Sequence, residues 1–261
     1  MTEIAVIGLG EAGRLYARGF SAAGAEVRGY DLRPRLASGE QVERLADAVE
    51  GAELVISLVG AASAEDVAAQ VFSRVKPPVI FADFNTASPE LKGRIARMGA
   101  DHGIDVADVA VLAPVPRAAE RTPLLASGPA APRLAGMLRP LGAPIDVLDG
   151  GVGEAARMKL LRSIFTKGLA TLAIETLTAA RAAGAEDWVR AQMASELGAE
   201  GPALLERFVA GTYQHAERRE HEVRDVLAEL DSTGQPADMT RGTLAWFERI
   251  LADRPQDGSD E

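Results

Sequence analysis

Ile4-Ala5-Val6-Ile7-Gly8-Leu9-Gly10-Glu11-Ala12-Gly13 is the stretch that decides the fold. An apolar, β-branched run ends in a GxGxxG hexapeptide and passes directly into residues of helical period, so a strand, a tight turn and a helix follow one another without a break. In that setting Gly8 permits the turn, Gly10 lets a pyrophosphate approach the backbone, and Gly13 lets the helix pack close to the strand. The helix N-terminus supplies unpaired N–H donors and a partial positive charge. Gly8, Leu9, Gly10, Glu11, Ala12 and Gly13 are therefore candidate contacts for a dinucleotide.

Eighteen residues beyond Gly13 stands Asp31, at the end of a second strand candidate, Glu26 to Tyr30. A carboxylate there hydrogen-bonds the adenosine ribose and favours NAD, because a 2′-phosphate would meet a like charge. Arg33 and Arg35 follow at once, and a guanidinium pair accepts such a phosphate, so NAD is preferred with NADP left open. Further out, short apolar runs alternate with alanine-rich helical segments as far as residue 147. Strands are expected at Ile4 to Ile7, Glu26 to Tyr30, Leu54 to Leu58, Val79 to Ala82, Asp105 to Val111, Leu124 to Ser127 and Pro144 to Val147. Helices are expected over 11–24, 40–49, 63–74, 88–101 and 130–140, with Ser63 and Ser88 as caps and Pro89 at a first helical position. This is the βαβ pattern of a doubly wound parallel sheet, an α/β fold of Rossmann type spanning 1–152.

After Gly150-Gly151 the strand signals stop. Residues 153–181 read as one long helix, and 186–198, 202–230 and 237–252 as three more, making 153–261 an all-helical domain. Residues 254–261 read as a disordered tail. Long amphipathic helices in a domain this small suggest a homodimer.

The chain has 261 residues with a formal charge of −10, which disfavours nucleic acid and anionic membrane surfaces as partners. It has no cysteine and three histidines, so thiolate chemistry is excluded and no metal site is expected. The N-terminus lacks the pattern of an export signal, and no apolar run approaches the roughly 20 residues of a membrane span. A soluble, cytoplasmic protein with a small-molecule substrate is the expectation.

With histidine scarce, Lys159 is the best-placed group to exchange a proton with an alcohol. Lys159, Ser163 and Lys167 recur at every fourth position and share a helix face, opposite an apolar stripe of Leu160, Leu161, Ile164, Phe165 and Leu172. The same spacing fits a solvated basic face. Asn85 and Thr86 end the fourth strand, and Leu58-Val59-Gly60 the third, on the carboxyl edge where open α/β sheets bind ligands.

These motifs resemble the β-hydroxyacid dehydrogenase family, relatives of 3-hydroxyisobutyrate and 6-phosphogluconate dehydrogenases. The resemblance rests on Gly8 to Gly13, on Asp83-Phe84-Asn85-Thr86-Ala87-Ser88-Pro89, and on the glycine and alanine run leading to Lys159. It implies an NAD(P)-dependent oxidoreductase with Lys159 as general acid/base, Ser163 where the family carries asparagine, and Asn85, Thr86, Leu58 and Val59 near the cofactor. The family's Ser-Gly-Gly substrate loop is replaced here by Ala113-Pro114 and their neighbours, leaving Ala113, Pro114, Arg121, Thr122 and Lys167 as candidate substrate contacts. Reduction of a C=N bond, and cofactor binding without catalysis, are alternative readings.

Overall fold

The computed structural model describes residues 1–33 and 41–253. In chain order the elements are β1 (Glu3–Ile7), α1 (Glu11–Ala22), β2 (Glu26–Tyr30), α2 (Leu45–Val49), β3 (Leu54–Ser57), α3 (Ala61–Phe72), β4 (Ile80–Asp83), α4 (Pro89–Asp101), β5 (Asp105–Val111), β6 (Leu124–Ser127), α5 (Ala131–Leu138), β7 (Ile145–Val147), α6 (Glu154–Ala182), α7 (Glu186–Glu196), α8 (Gly201–Gln214), α9 (Ala216–Ser232) and α10 (Asp238–Ala252). They form two compact units, Met1–Lys159 and Leu160 onward, and the division falls inside α6.

The strands of the first unit pair in the order β2-β1-β3-β4-β5-β6-β7. The chain leaves β1 toward β2 and returns to β3 on β1's other side, so the strand direction of travel reverses at β1 and opens a crevice at its carboxyl end. Alternation along β1 divides the core between the two faces of the sheet. Ile4 and Val6 pack with Tyr16 and Phe20 of α1 and Leu134 and Leu138 of α5. Ala5 and Ile7 pack with Leu45 of α2, Val71 and Phe72 of α3 and Ile95 of α4. A strand covered on both sides must be apolar at every position, which is why β1 reads as an unbroken run.

Four expectations need correction. The sheet is not wholly parallel, because β6 pairs antiparallel with β5. Residues 112–123 hold only two short 3-10 turns, and without a crossover helix the chain folds straight back. Ser63 lies inside α3, whose N-cap is Gly60, whereas Ser88 caps α4 by accepting from Leu91 N–H, with Pro89 in the first turn. The segment 202–230 is two helices, broken at His215, where φ −120° and ψ 28° leave the helical region. No glycine or proline marks that break; a hydrogen bond from Arg219 to Thr212 Oγ1 at 2.7 Å spans it. Within 40–49 only Leu45–Val49 is helical among the described residues.

The second unit has its own core. Ile174, Ala216, Val223, Phe247 and Ile250 form one cluster, and Leu160, Val226, Leu230 and Ala237 another. The expected apolar stripe of α6 is split: Leu160 is buried, while Leu161, Phe165 and Leu172 are exposed by 41, 70 and 52%. The face expected to be polar is instead buried at Ser163 and Lys167. Its polar atoms are satisfied internally, for Lys167 Nζ donates to Ser163 Oγ at 2.9 Å and pairs with Glu222 Oε2 at 2.7 Å. Among the described residues no helix is long and apolar enough to cross a membrane.

Phe247 is fully buried at the centre of this helical core. Phe247→Ala should therefore cost about 3–5 kcal/mol, seen as a lower denaturant midpoint when unfolding is followed by the emission of its neighbour Trp246; an unchanged midpoint would show that the cluster is not what holds the unit together.

Candidate functional site

The glycine loop owes its shape to two contacts that exclude any side chain. Gly8 has φ +93°, and a Cβ on it would lie 2.5 Å from the Leu58 carbonyl oxygen and 3.0 Å from Val59 Cγ1. A Cβ on Gly13 would lie 1.9 Å from the Gly8 carbonyl oxygen, so α1 presses directly on the turn. Gly10 is the opposite case: it is exposed, with nothing within 4 Å of where a Cβ would stand. The first N–H groups of α1 open onto that space without helical partners. The loop thus has room and donors for a phosphate pair, and the fit to a dinucleotide holds on the geometry of this chain.

The loop is tied to the end of β2. Gly8 N–H donates to the Tyr30 carbonyl at 2.8 Å, and Leu9 N–H to Asp31 Oδ2 at 2.8 Å. The other carboxylate oxygen of Asp31 accepts from Arg33 N–H at 3.0 Å. Among the described residues each oxygen accepts one hydrogen bond, which leaves a lone pair for a further donor such as a ribose hydroxyl. Arg35 lies outside the described residues. Arg14, which no sequence motif marks, curls back so that its Nε donates to the Gly10 carbonyl at 3.2 Å.

A second group of residues follows from a row of polar side chains across the sheet. Ser57 of β3, Asp83 of β4, Asp108 of β5 and Ser127 of β6 stand side by side in register, and all four are buried. Two neighbouring carboxylates in an apolar interior require a cation, and α4 provides it in Lys92. Its ammonium donates to the Asp83 carbonyl at 2.7 Å and stands 3.2 Å from both Asp83 Oδ2 and Asp108 Oδ1. The remaining oxygens organise the chain around them. Asp83 Oδ1 accepts from the Asn85 N–H at 2.9 Å and from Asn85 Nδ2 at 2.7 Å. Asp108 Oδ2 accepts from Ala156 N–H at 2.8 Å, and Ser127 Oγ from Ala155 N–H at 3.0 Å, so the first turn of α6 is pinned to the row.

Asn85 is held as a bridge. Its Nδ2 also reaches Ser57 Oγ at 3.0 Å, and its Oδ1 accepts from Gly60 N–H at 2.7 Å, joining the ends of β3 and β4. Thr86, next in the chain, is exposed, and its Oγ1 accepts from Lys159 Nζ at 2.8 Å. The first unit therefore brings together Gly8 to Gly13, Asp31 and Arg33 at one end of the edge, Leu58 and Val59 against Gly8, and Asn85, Thr86 and Lys159 beyond them.

The remaining candidates are placed differently. Ala113 is half-buried and Pro114 exposed in the turn after β5. Thr122 is buried, and its Oγ1 donates to the Ala119 carbonyl at 2.8 Å. Arg121 is exposed, with its Nε 3.8 Å from Glu120 Oε1. Ser163 and Lys167 belong to the second unit and are joined there to each other and to Glu222. Among the described residues no group of three or more His, Asp or Glu is arranged to hold a metal ion.

The sequence reading missed Lys92, Asp83 and Asp108 as a unit. The available signal was an aspartate in the middle of the apolar run Val106-Ala107-Asp108-Val109, which no strand buried on both faces tolerates without a partner.

Residues 3–148 match the family described as the NAD binding domain of 6-phosphogluconate dehydrogenase, and residues 180–250 match a domain of unknown function. An uncharacterised 28.5 kDa protein of Methanothermus fervidus is 32% identical over 204 residues, 78% of either chain. A conserved hypothetical protein of Sinorhizobium meliloti is 28% identical, with a TM-score of 0.77 over 99% of this chain and 92% of that one. The 3-hydroxyisobutyrate dehydrogenase of Mycobacterium tuberculosis, solved with L-serine, shares the fold with a TM-score of 0.81 over 97% of this chain and 94% of its own, at 19% identity.

The different surroundings of two loop glycines separate folding from binding. Gly13→Ala should lower the melting temperature sharply, because the new methyl meets backbone. Gly10→Ala should leave it nearly unchanged and weaken NADH binding at least tenfold; equal effects on both properties for both variants would contradict the geometry.

Proposed function

The chain belongs to the β-hydroxyacid dehydrogenase family, on the match of residues 3–148 to its NAD-binding domain, and from that premise we propose that it is an NAD(P)-dependent oxidoreductase acting on a hydroxylated carbon. The single observation that supports the catalytic assignment is the hydrogen bond from Lys159 Nζ to Thr86 Oγ1 at 2.8 Å, formed on the edge that carries the glycine loop. A bound nicotinamide supplies the hydride acceptor. Lys159 takes the alcohol proton as the carbon loses its hydride, and a carbonyl product and an ammonium result; reduction runs the same exchange backward. Thr86 orients the amine, and Asn85, fixed by Ser57, Asp83 and Gly60, keeps the floor beneath it rigid.

Gly8 to Gly13 receive the pyrophosphate, and Asp31 receives the adenosine ribose. A carboxylate suits two hydroxyls better than a phosphate, which favours NAD. The substrate is an anionic or polar hydroxy acid contacted from the turn containing Ala113 and Pro114, with exposed Arg121 later in the same loop as a cation for its anionic group. Buried Thr122 serves that loop by holding the Ala119 carbonyl. Ser163 and Lys167, buried with Glu222, contribute through the helix that carries them. The protein is proposed to act in the cytoplasm on a small molecule.

Titration with NADH and NADPH in parallel tests the reading at its base, with saturable binding and tighter NADH binding expected. Lys159→Ala should reduce turnover at least hundredfold and leave the NADH dissociation constant within twofold; unchanged turnover removes Lys159 from the chemistry. A matched panel of cyclic imines turned over faster than hydroxy acids would move the assignment to C=N reduction.

The exposed Leu161, Phe165 and Leu172 on α6 support a homodimer. Light scattering should give twice the chain mass, and Phe165→Glu should halve it; a monomeric wild-type chain removes this part of the reading.

A further inference from the structure

We infer that Lys92 is a positioning residue for the Lys159 amine, which it governs without touching it. This rests on the reading of Lys159 as the acid/base. The contacts close a ring. Lys92 holds Asp83 and Asp108 at 3.2 Å each. Asp83 holds Asn85 at 2.7 and 2.9 Å and so sets Thr86. Asp108 holds Ala156 N–H at 2.8 Å, one turn before Lys159. Thr86 and Lys159 complete the circuit at 2.8 Å. One buried ammonium therefore fixes both ends of the contact: the turn that offers the hydroxyl, and the helical turn that delivers the amine.

The charges explain why a lysine is needed there. Two carboxylates against one ammonium leave a net negative charge in the interior, and the partial positive charge of the α6 N-terminus, whose Ala156 N–H is bonded to Asp108, offsets it. Without the ammonium the carboxylates repel, and the two elements they hold have no reason to stay in register. Lys92 is nearly inaccessible, with 1% of its side chain exposed, so it acts on the site only through this relay.

The chain has four lysines, Lys76, Lys92, Lys159 and Lys167, so ε-13C-lysine labelling gives four side-chain signals that single substitutions assign. In the wild-type chain Lys159 should be as ordered as Lys167, whereas exposed Lys76 should be mobile. Lys92→Met removes the ammonium and leaves two buried carboxylates, so it is expected to unfold readily. The double variant Lys92→Met/Asp108→Asn keeps the net charge, retains an acceptor for Ala156 N–H, and gives Asp83 an amide donor. In it the Lys159 signal should become as mobile as that of Lys76, kcat should fall about tenfold, and the NADH dissociation constant should stay within twofold.

A wild-type Lys159 as mobile as Lys76 overturns the proposal before any variant is made. A folded double variant with unchanged Lys159 order and unchanged kcat overturns it as well. Because side-chain order is read without turnover, failure of the catalytic reading, seen as full activity of Lys159→Ala, is distinguishable from failure of the relay.

Discussion

A lysine ammonium buried between two aspartates is the constraint on which the first unit turns. Taking these charges out of water costs several kcal/mol per ion, and only close ion pairing supported by further hydrogen bonds recovers it. Here the recovery comes from elements distant in the chain: the carbonyl and carboxylate of Asp83 at the end of β4, the carboxylate of Asp108 within β5, and the backbone of the first turn of α6. Strand pairing sets the two carboxylates side by side, the start of α4 at Pro89 sets the height of Lys92, and the carboxylates then select where α6 can begin. Each element restricts the next, so the ends of β3, β4 and β5 and the start of α6 are fixed together.

The glycine loop is built on a different principle, close backbone approach in place of charge. Gly13 lets α1 touch the Gly8 carbonyl, Gly8 lets the turn lie against Leu58, and Asp31 stitches the loop to β2 through Leu9 N–H. Steric exclusion here leaves one arrangement of the amides that face outward. The two constructions share an edge of the sheet because β1 is the strand at which the order of travel reverses, with β3 next to it and β4 beyond β3. The side chains that join the ends of β3 and β4, Asn85 and Ser57, are short, and Asn85 is also held by the backbone N–H of Gly60, which keeps the edge stiff.

In the second unit a similar economy appears in polar form. Ser163, Lys167 and Glu222 satisfy one another in a helical core whose other members are leucine, isoleucine, valine and phenylalanine. A periodic reading of α6 places lysines on a solvent face, and it fails at Lys167 because a long side chain can bury its stem and still reach a carboxylate on a neighbouring helix. The apolar positions of α6 do not all turn inward either; Leu160 packs beside Val226 and Leu230 while Phe165 stays open.

Much of this was legible in the residues. The run into Gly8, the spacing to Asp31, the alternation of strands and helices to residue 147 and the switch to helices after Gly150 all follow from local periodicity and turn chemistry, which depend on neighbours in the chain. The same is true of the cap at Ser88. What only the tertiary structure decided is whatever depends on partners far apart in sequence: the reversal of β6, the pairing of Asp83 with Asp108, the burial of Lys92 between them, the break at His215 and the partners of Lys159 and Lys167. A pattern of residue types records which side chains want to be buried or hydrated, but a buried charge is defined by its counter-charge, and here the counter-charges are brought together by strand register and helix packing that no local signal encodes.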